Sequence, residues 1–277
     1  MGVQAAVGWP RPALGSFVER YLGYRQEGLA GGSHQGLPSR HVTVIISLGP
    51  PVDIAAMPDP AQPPGSFPAF AAGLHAAPAT VHHDGNQYGV HLELTPPGAR
   101  ALLGVPAWEL ASRVVDLGDL LGRRASEMAD RLATTPGWPE RFAVLDAVLA
   151  RGAVEVDPPA PEVAWAWRRL VTTGGAVQMS ALAAAVGWSR RHLSERFRRE
   201  LGLPPKVVAR VLRFERSRRV LERPGRPGLA EVAVACGYYD QAHLTRDWRE
   251  LAGCTPTAWM AAELPSVQDT PVQAGAS

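Results

Sequence analysis

The strongest constraint on the fold is a repeat near the end of the chain. The segment SALAAAVGWSRRHLSERFRRELGLPP, residues 180–205, aligns with AEVAVACGYYDQAHLTRDWRELAGCTP, residues 230–256. A unit that occurs twice at nearly constant spacing indicates a duplicated structural module. The matched positions pair Ala183 with Ala233, Gly187 with Gly237, Leu193 with Leu244, Phe197 with Trp248, Gly202 with Gly253 and Pro205 with Pro256.

Each copy has the signals of two short helices joined by a tight turn. An alanine-rich stretch reaches Gly187 in the first copy and Gly237 in the second, and glycine adopts the positive φ that such turns require. Ser189 and Asp240 follow as N-cap residues of a second helix. The pattern predicts a helix-turn-helix, whose second helix can enter a DNA major groove. An ordinary helical hairpin without DNA contacts is the structural alternative.

The second helix of the first copy has one apolar stripe and many arginines. Leu193, Phe197 and Leu201 recur every four residues, which predicts one inward-facing stripe. The arginines must then face outward, toward solvent or toward phosphate. They are Arg190, Arg191, Arg196, Arg198 and Arg199.

The segment between the copies predicts one amphipathic helix over residues 205–223. Its inward positions are Val208, Val211, Leu212 and either Val220 or Leu221. Such a helix spans roughly 27 Å. It therefore allows recognition helices 189–201 and 240–252 to lie about one DNA turn, on the order of 34 Å, apart.

Charge is distributed unevenly along the chain. Residues 161–260 contain 17 basic and 9 acidic residues, a net +8, whereas residues 1–160 contain 11 basic and 15 acidic residues, a net −4. A basic region of this kind is typical of nucleic-acid binding, although a solvated surface gives the same count.

The first half of the chain predicts an α+β domain over residues 1–157. Residues 41–49, 87–95 and, more weakly, 69–75 have strand patterns, and residues 118–132 and 138–151 have helical periodicity. Prolines predict a linker at 158–161, followed by an all-α domain at 162–262 and a disordered tail at 263–277.

Other features argue against metal, cofactor and membrane chemistry. Cys236 and Cys254 form neither a disulfide framework nor a zinc motif, and no leader or membrane-spanning run occurs, so we expect a cytoplasmic protein. We expect no catalytic residue, metal or cofactor. The histidines that a barrel could use as ligands lack a metal-binding pattern: they are His75, His82, His83 and His91.

The last hundred residues resemble the DNA-binding domain of the AraC/XylS family of bacterial transcription regulators. The resemblance covers about residues 162–260, with Tyr239, Trp248, Arg249 and Glu250 as departures from the family pattern. The last two replace a basic pair and weaken the expectation of a phosphate contact there. The residues that carry the pattern are Val232, Ala233, Gly237, Tyr238, Asp240, Leu244, Trp248, Gly253, Thr255 and Pro256.

The first half is similar, less specifically, to sensor domains joined to this module in actinobacterial regulators. The segments that carry the similarity are residues 37–49, 89–110 and 114–122. The resemblance implies a small, partly barrel-like sheet followed by helices, which binds an effector or a second subunit. Expected partners are double-stranded DNA, a small-molecule effector and RNA polymerase, with the chain a monomer or a homodimer.

The resemblance and the helix faces together predict the DNA-contacting side chains. Arg191 suits guanine, Glu195 suits cytosine and Gln241 suits adenine. The predicted base contacts are Arg191, Ser194, Glu195, Gln241, Ala242, Thr245 and Arg246. The predicted phosphate contacts are Arg190, Arg198, Arg199 and His243.

These observations predict a sequence-specific transcription regulator with a sensing domain. The alternatives are an enzymatic N-terminal domain with an appended DNA-binding module, and a pure interaction module. A modest apolar effector pocket would draw on Trp9, Tyr21, Tyr24, Tyr88 and Trp108.

Overall fold

The computed structural model describes residues 2–155, 157–223 and 225–263. Its first half is built on ten strands. They are β1 (Gly2–Gly8), β2 (Val18–Glu27), β3 (Gly32–Gly36), β4 (Val42–Ser47), β5 (Val52–Ala56), β6 (Gly65–Phe67), β7 (Ala69–Ala72), β8 (Ala79–His83), β9 (Gln87–Leu94) and β10 (Val114–Asp116).

The strands form two antiparallel sheets. The larger sheet has the order β1-β2-β9-β4-β7-β10, and the smaller has the order β3-β8-β5-β6. Strand β4 shows how alternation assigns its side chains to two sides. Val42, Val44 and Ile46 lie in the core beneath the helices, whereas Ile45 packs against a separate core between the sheets. The strands predicted at 41–49, 69–75 and 87–95 correspond to β4, β7 and β9.

Four helices cover one face of the larger sheet. They are α1 (Pro96–Leu103), α2 (Leu117–Leu121), α3 (Arg123–Thr134) and α4 (Trp138–Gly152). The single helix predicted at 118–132 is wrong, because Gly122 has φ 56° and separates α2 from α3. A positive φ cannot continue a right-handed helix. The helix predicted at 138–151 corresponds to α4.

The second half of the described chain is helical. Its helices are α5 (Pro161–Thr172), α6 (Met179–Ala185), α7 (Arg190–Leu201), α8 (Pro205–Leu221), α9 (Leu229–Ala235), α10 (Gln241–Ala252) and α11 (Pro256–Glu263). Helix α5 begins at Pro161, the last residue of the predicted linker. Of the predicted tail at 263–277, residues 264–277 lie outside the described residues. No helix among the described residues is both long and apolar enough to cross a membrane.

The two halves share hydrophobic contacts. Leu74, in the loop after β7, belongs to the buried core around α5, α6 and α7. Leu37 and Ala76 pack against the core around α9 and α10. The sheet domain therefore contacts both helical units, which restricts how those units can move relative to each other.

A buried hydrogen bond ties β2 to α4 and gives a stability prediction. The hydroxyl of Tyr21 donates to Oδ1 of Asp146 at 2.9 Å. We expect Tyr21→Phe to lower the free energy of unfolding by about 1 to 3 kcal/mol, because the carboxylate loses a donor where water cannot replace it. Urea denaturation measures the change. Tyr239→Phe is the matched control, since Tyr239 is 90% exposed; an equal loss in both variants would contradict the assignment.

Candidate nucleic-acid interface

The first helix-turn-helix consists of α6 and α7. Gly187 has φ 71°, which turns the chain, and the side chain of Ser189 accepts a hydrogen bond from the backbone N–H of His192 at 3.1 Å. Leu193 and Phe197 are fully buried, as the four-residue spacing predicts. The buried stripe and the cap together fix which face of α7 is presented to the outside.

The second helix-turn-helix, α9 and α10, repeats this construction. Gly237 has φ 81°, and Oδ1 of Asp240 accepts from the backbone N–H of His243 at 2.7 Å. Trp248 is fully buried, and its indole Nε1 donates to Oγ of Ser217 on α8 at 2.9 Å. The hydrogen bond fixes the rotation of α10 against the helix that joins the two units.

The outward face of α7 carries most of the predicted contacts of the first unit. Arg191 and Glu195 are exposed one helical turn apart, and their side chains form an ion pair with Nε to Oε1 at 3.0 Å. The hydrogen bond from Arg191 lowers the pKa of Glu195 below its ordinary value. Ser194 is half-buried on the same face. The predicted phosphate-contacting arginines, which are Arg190, Arg198 and Arg199, are all exposed.

The outward face of α10 forms a shallow surface hollow of about 510 Å³. The short side chains of Ala242 and Thr245 leave space between longer ones. Four of the five lining residues are predicted base contacts, and the fifth is Arg249, whose acidic neighbour in the sequence weakens the expectation of a phosphate contact. The lining residues are Gln241, Ala242, Thr245, Arg246 and Arg249.

The acidic neighbour of Arg249 is paired elsewhere. Glu250 forms an ion pair with Arg210 of α8, and the same guanidinium bonds Asp247 at 2.9 Å. The carboxylate of Glu250 is thereby directed toward α8, while Arg249 is exposed. Arg249 therefore remains suitable for a phosphate contact. The sequence does not indicate the pairing of Glu250 with Arg210, because the two residues are 40 positions apart and meet only where α10 packs on α8.

His243 has an additional structural role. Its Nδ1 accepts the backbone N–H of Tyr239 at 3.4 Å, and its ring packs edge-on against Tyr238 with centroids 5.2 Å apart. The histidine thus stabilises the turn of the second unit. Its predicted phosphate contact stays a prediction.

The aromatic residues predicted to line an effector pocket do not converge. Tyr21 lies in the core beneath the helices, and Tyr88 packs edge-on against a tryptophan of α4. Tyr24 lies against β9 near Gly89 on the opposite face of the sheet. Trp9 and Trp108 are 68% and 49% exposed. The expectation of one pocket built from these five side chains is wrong, because strand alternation places Tyr24 on the face opposite Tyr21 and Tyr88, and the two tryptophans are exposed.

The histidines of the first half are distributed over several sites. His75 is buried and its Nδ1 lies 2.6 Å from the carbonyl oxygen of Ala77. His82 and His83 lie on β8, and His91 lies on β9. Burial lowers the pKa of His91 to about 4, so its imidazole is neutral at physiological pH. Within the described ranges, no three His, Cys, Asp or Glu side chains come together as metal ligands.

A polar network missed by the sequence analysis connects the sheet to α8. The backbone N–H of Arg40 donates to Oε1 of Glu215 at 3.1 Å, and its Nη1 donates to Oε2 at 3.4 Å. Its Nη2 donates to Glu19 at 2.5 Å, and His41 lies 3.0 Å from that carboxylate. Hydrogen bonding from His41 is the main cause that lowers the pKa of Glu19 to about 2. Glu215 is only 4% exposed, so Arg40 compensates a buried charge across the interface.

The architecture and the exposed faces define a protein with two helix-turn-helix units joined by one helix. The family model described as a helix-turn-helix domain matches residues 182–262. No curated protein sequence matches the chain.

Solved structures extend the likeness to the whole fold. The structure of ToxT from Vibrio cholerae O395 has a TM-score of 0.52 and 8% identity, and the alignment covers 98% of this chain and 99% of that one. ToxT bound to (E)-4-(8-methylnaphthalen-1-yl)but-3-enoic acid has a TM-score of 0.51 and 9% identity, over 94% and 99% of the two chains. The DNA-binding domain of the global transcriptional factor AdpA, in complex with a target DNA, is 32% identical over 39% of this chain and 93% of that chain, with a TM-score of 0.33.

These comparisons bear out the resemblance noted in the sequence. The chain is similar to DNA-binding transcription regulators of the AraC/XylS type, and it has a sheet-rich first half followed by a helical half that carries the matched helix-turn-helix domain.

The assignment of helix faces gives a prediction about specificity. We expect Arg191→Ala to relax base preference in one half of the binding site, and Gln241→Ala to relax it in the other half. Each loss should cost roughly 1 to 3 kcal/mol on the preferred sequence. Arg199→Ala is the control, since loss of a phosphate contact weakens all sequences about equally. Selection from randomised sites measures all three; an unchanged motif in Arg191→Ala would contradict the assignment of the α7 face.

Proposed function

We propose that α7 and α10 enter two successive major-groove segments on one face of a DNA duplex. The observation that carries this proposal is the shared construction of the two units: each second helix is capped, buried along one stripe and packed on α8. Because α8 belongs to both cores, the two helices have one relative placement. A rigid pair of reading helices binds two groove segments without a second chain.

The side chains on these faces have complementary recognition chemistry. Arg191 forms bidentate bonds with guanine, and Glu195 accepts from the amino group of cytosine. Gln241 bonds adenine, and the methyl groups of Ala242 and Thr245 contact thymine methyls. The remaining predicted base contacts are Ser194 and Arg246, and the phosphate contacts are Arg190, Arg198, Arg199, Arg249 and His243. The chain would act in the cytoplasm, where it would reach promoters bound by RNA polymerase.

Affinity should depend steeply on salt. The basic residues 161–260 would displace counterions from phosphates, so we expect log affinity of the full chain to fall linearly with log salt concentration. The slope counts the phosphate contacts, and Arg199→Ala should reduce it by about one unit. Fluorescence anisotropy across a salt series measures the slope. A salt-independent affinity would contradict the proposed interface.

The sheet domain would regulate DNA binding through its contacts with α8. Its loops contact both helix-turn-helix units, and Arg40 holds Glu215 on the helix between them. The ToxT structure with a bound carboxylic acid supports a small-molecule effector for this architecture. An effector changes DNA affinity only if it binds one arrangement of the interface better than another.

The contact between Arg40 and Glu215 supplies the test. We expect Glu215→Gln to shift the DNA affinity of the full chain toward that of residues 160–277 alone, because the neutral amide weakens the bond across the interface. Couplings of this kind typically change affinity by about 5-fold to 150-fold. Anisotropy titration of the full chain and of residues 160–277 with one operator measures the shift.

Two controls make the result specific. Glu222→Gln is the matched variant, since Glu222 caps the C-terminus of α8 and pairs with Arg218 in the last turn of that helix. Glu215→Gln within residues 160–277 should leave affinity unchanged, because the contact with Arg40 is missing there and the remaining partner, Arg219, lies on α8 itself. Equal affinity of the full chain and the fragment under all effector conditions would contradict regulation by the sheet domain.

A further inference from the structure

Strand β1 forms one edge of the larger sheet and is unusual among the sheet edges. Its seven residues pair along their full length with β2, from Gly2 with Glu27 to Gly8 with Tyr21. The sheet order ends at β1, so no strand of the described chain pairs with its outer side. The other edges of the two sheets are shorter: β10 and β6 have three residues each, and β3 has five.

The sequence of β1 lacks the features that normally block a free edge. GVQAAVG contains no charge and no proline. Edge strands in monomeric proteins are usually protected by such residues, because unpaired N–H and C=O groups are a template for another strand. A seven-residue edge without them favours pairing with another strand.

The two faces of β1 differ in their surroundings. A side chain at Gly8 would contact Phe142 of α4, and Ala6 packs against the core beneath the helices, so this set of alternate residues faces the helix layer. Val3, Ala5 and Val7 must then face the opposite side. Val3 and Ala5 are exposed and Val7 is half-buried. An uncharged apolar row therefore lies along the open edge.

The order of residues in β1 favours a second copy of β1 as the pairing strand. GVQAAVG reads almost the same in both directions about Ala5. Antiparallel pairing of two copies about a two-fold axis at Ala5 places Val3 opposite Val7 of the second copy and Ala5 opposite its own equivalent. Gln4 then faces Ala6, and the glycines face each other. The paired strands would form about six to eight backbone hydrogen bonds, and no like charges meet.

We propose that β1 is a self-association surface, at which two copies of this chain pair antiparallel and form one continuous sheet across a two-fold axis. A two-fold interface requires a surface that is complementary to itself, and the near-palindrome of β1 meets this requirement. The proposal is independent of the DNA contacts, because β1 belongs to the sheet domain.

A charge-swap experiment tests both the surface and the register. In the proposed pairing, A5K places two positive charges opposite each other and A5E places two negative charges there. Each variant alone should raise the dimer dissociation constant by about tenfold or more, whereas an equimolar mixture should restore association through opposite charges. Sedimentation velocity of the full chain over a concentration series gives the dissociation constants.

The control variant and the fold check keep the result interpretable. S33K introduces the same charge on β3, an edge of the smaller sheet where Ser33 is also exposed, and should leave association unchanged. Thermal unfolding followed by circular dichroism verifies that A5K and A5E are folded. A wild-type chain that stays monomeric, or a dimer that A5K leaves intact, would overturn the proposal. Loss of the dimer in both variants without recovery on mixing would overturn the register about Ala5.

Discussion

The burial of one apolar stripe on each recognition helix is the constraint on which the DNA-binding half depends. Leu193 and Phe197 fix α7, and Leu244 and Trp248 fix α10, with at most 1% of each residue exposed. A helix with a stripe buried to this extent cannot rotate about its axis without exposing large side chains to water. Exposing one such side chain costs roughly 1.5 to 3 kcal/mol. The outward faces of α7 and α10 are therefore determined by hydrophobic packing before any DNA contact forms.

Helix α8 transmits that constraint between the units. Val208 and Leu212 belong to the first helical core, whereas Val211 and Phe214 belong to the second. One helix with two buried faces couples the positions of α7 and α10. The same helix carries Glu215, a buried carboxylate that needs compensation by Arg40 of the sheet domain. Helix α8, which sets the spacing of the recognition helices α7 and α10, is thus also the helix that the sheet domain contacts.

The helical half could be predicted from sequence because its determinants are local. Ser189 caps its helix through a residue three positions away, and Gly187 turns the chain by its own φ. The strands of the first half depend on partners far along the chain. Five of the seven residues of β1 are Gly, Ala or Gln, which have weak strand propensity, and β2 has a register irregularity between Val18 and Arg20 that interrupts its alternation.

The residues of the candidate site also divide into those with local determinants, which the sequence predicts, and those that depend on distant partners. The exposed residues of α7 and α10 follow from helical periodicity, so Arg191 and Gln241 could be named before the fold was seen. The bond between Arg40 and Glu215 joins residues 175 positions apart, and no periodicity in either segment indicates it. The pairing of Glu250 with Arg210 is equally non-local, and no periodicity in α10 indicates it.

The ion pairs of the two units differ in burial. The buried pair stabilises the structure, whereas the exposed pair is available to bind DNA. The side chain of Arg191 is 90% exposed, so its pair with Glu195 is screened by water and contributes little to stability. Exchanging this pair for base contacts therefore costs little. Arg210, by contrast, bonds Asp247, whose side chain is 5% exposed, and breaking that pair would leave a buried carboxylate with only the longer, 3.9 Å contact to Arg213. The exposed pair can change partners on binding, whereas the buried pair holds α10 on α8 while the recognition face approaches the groove.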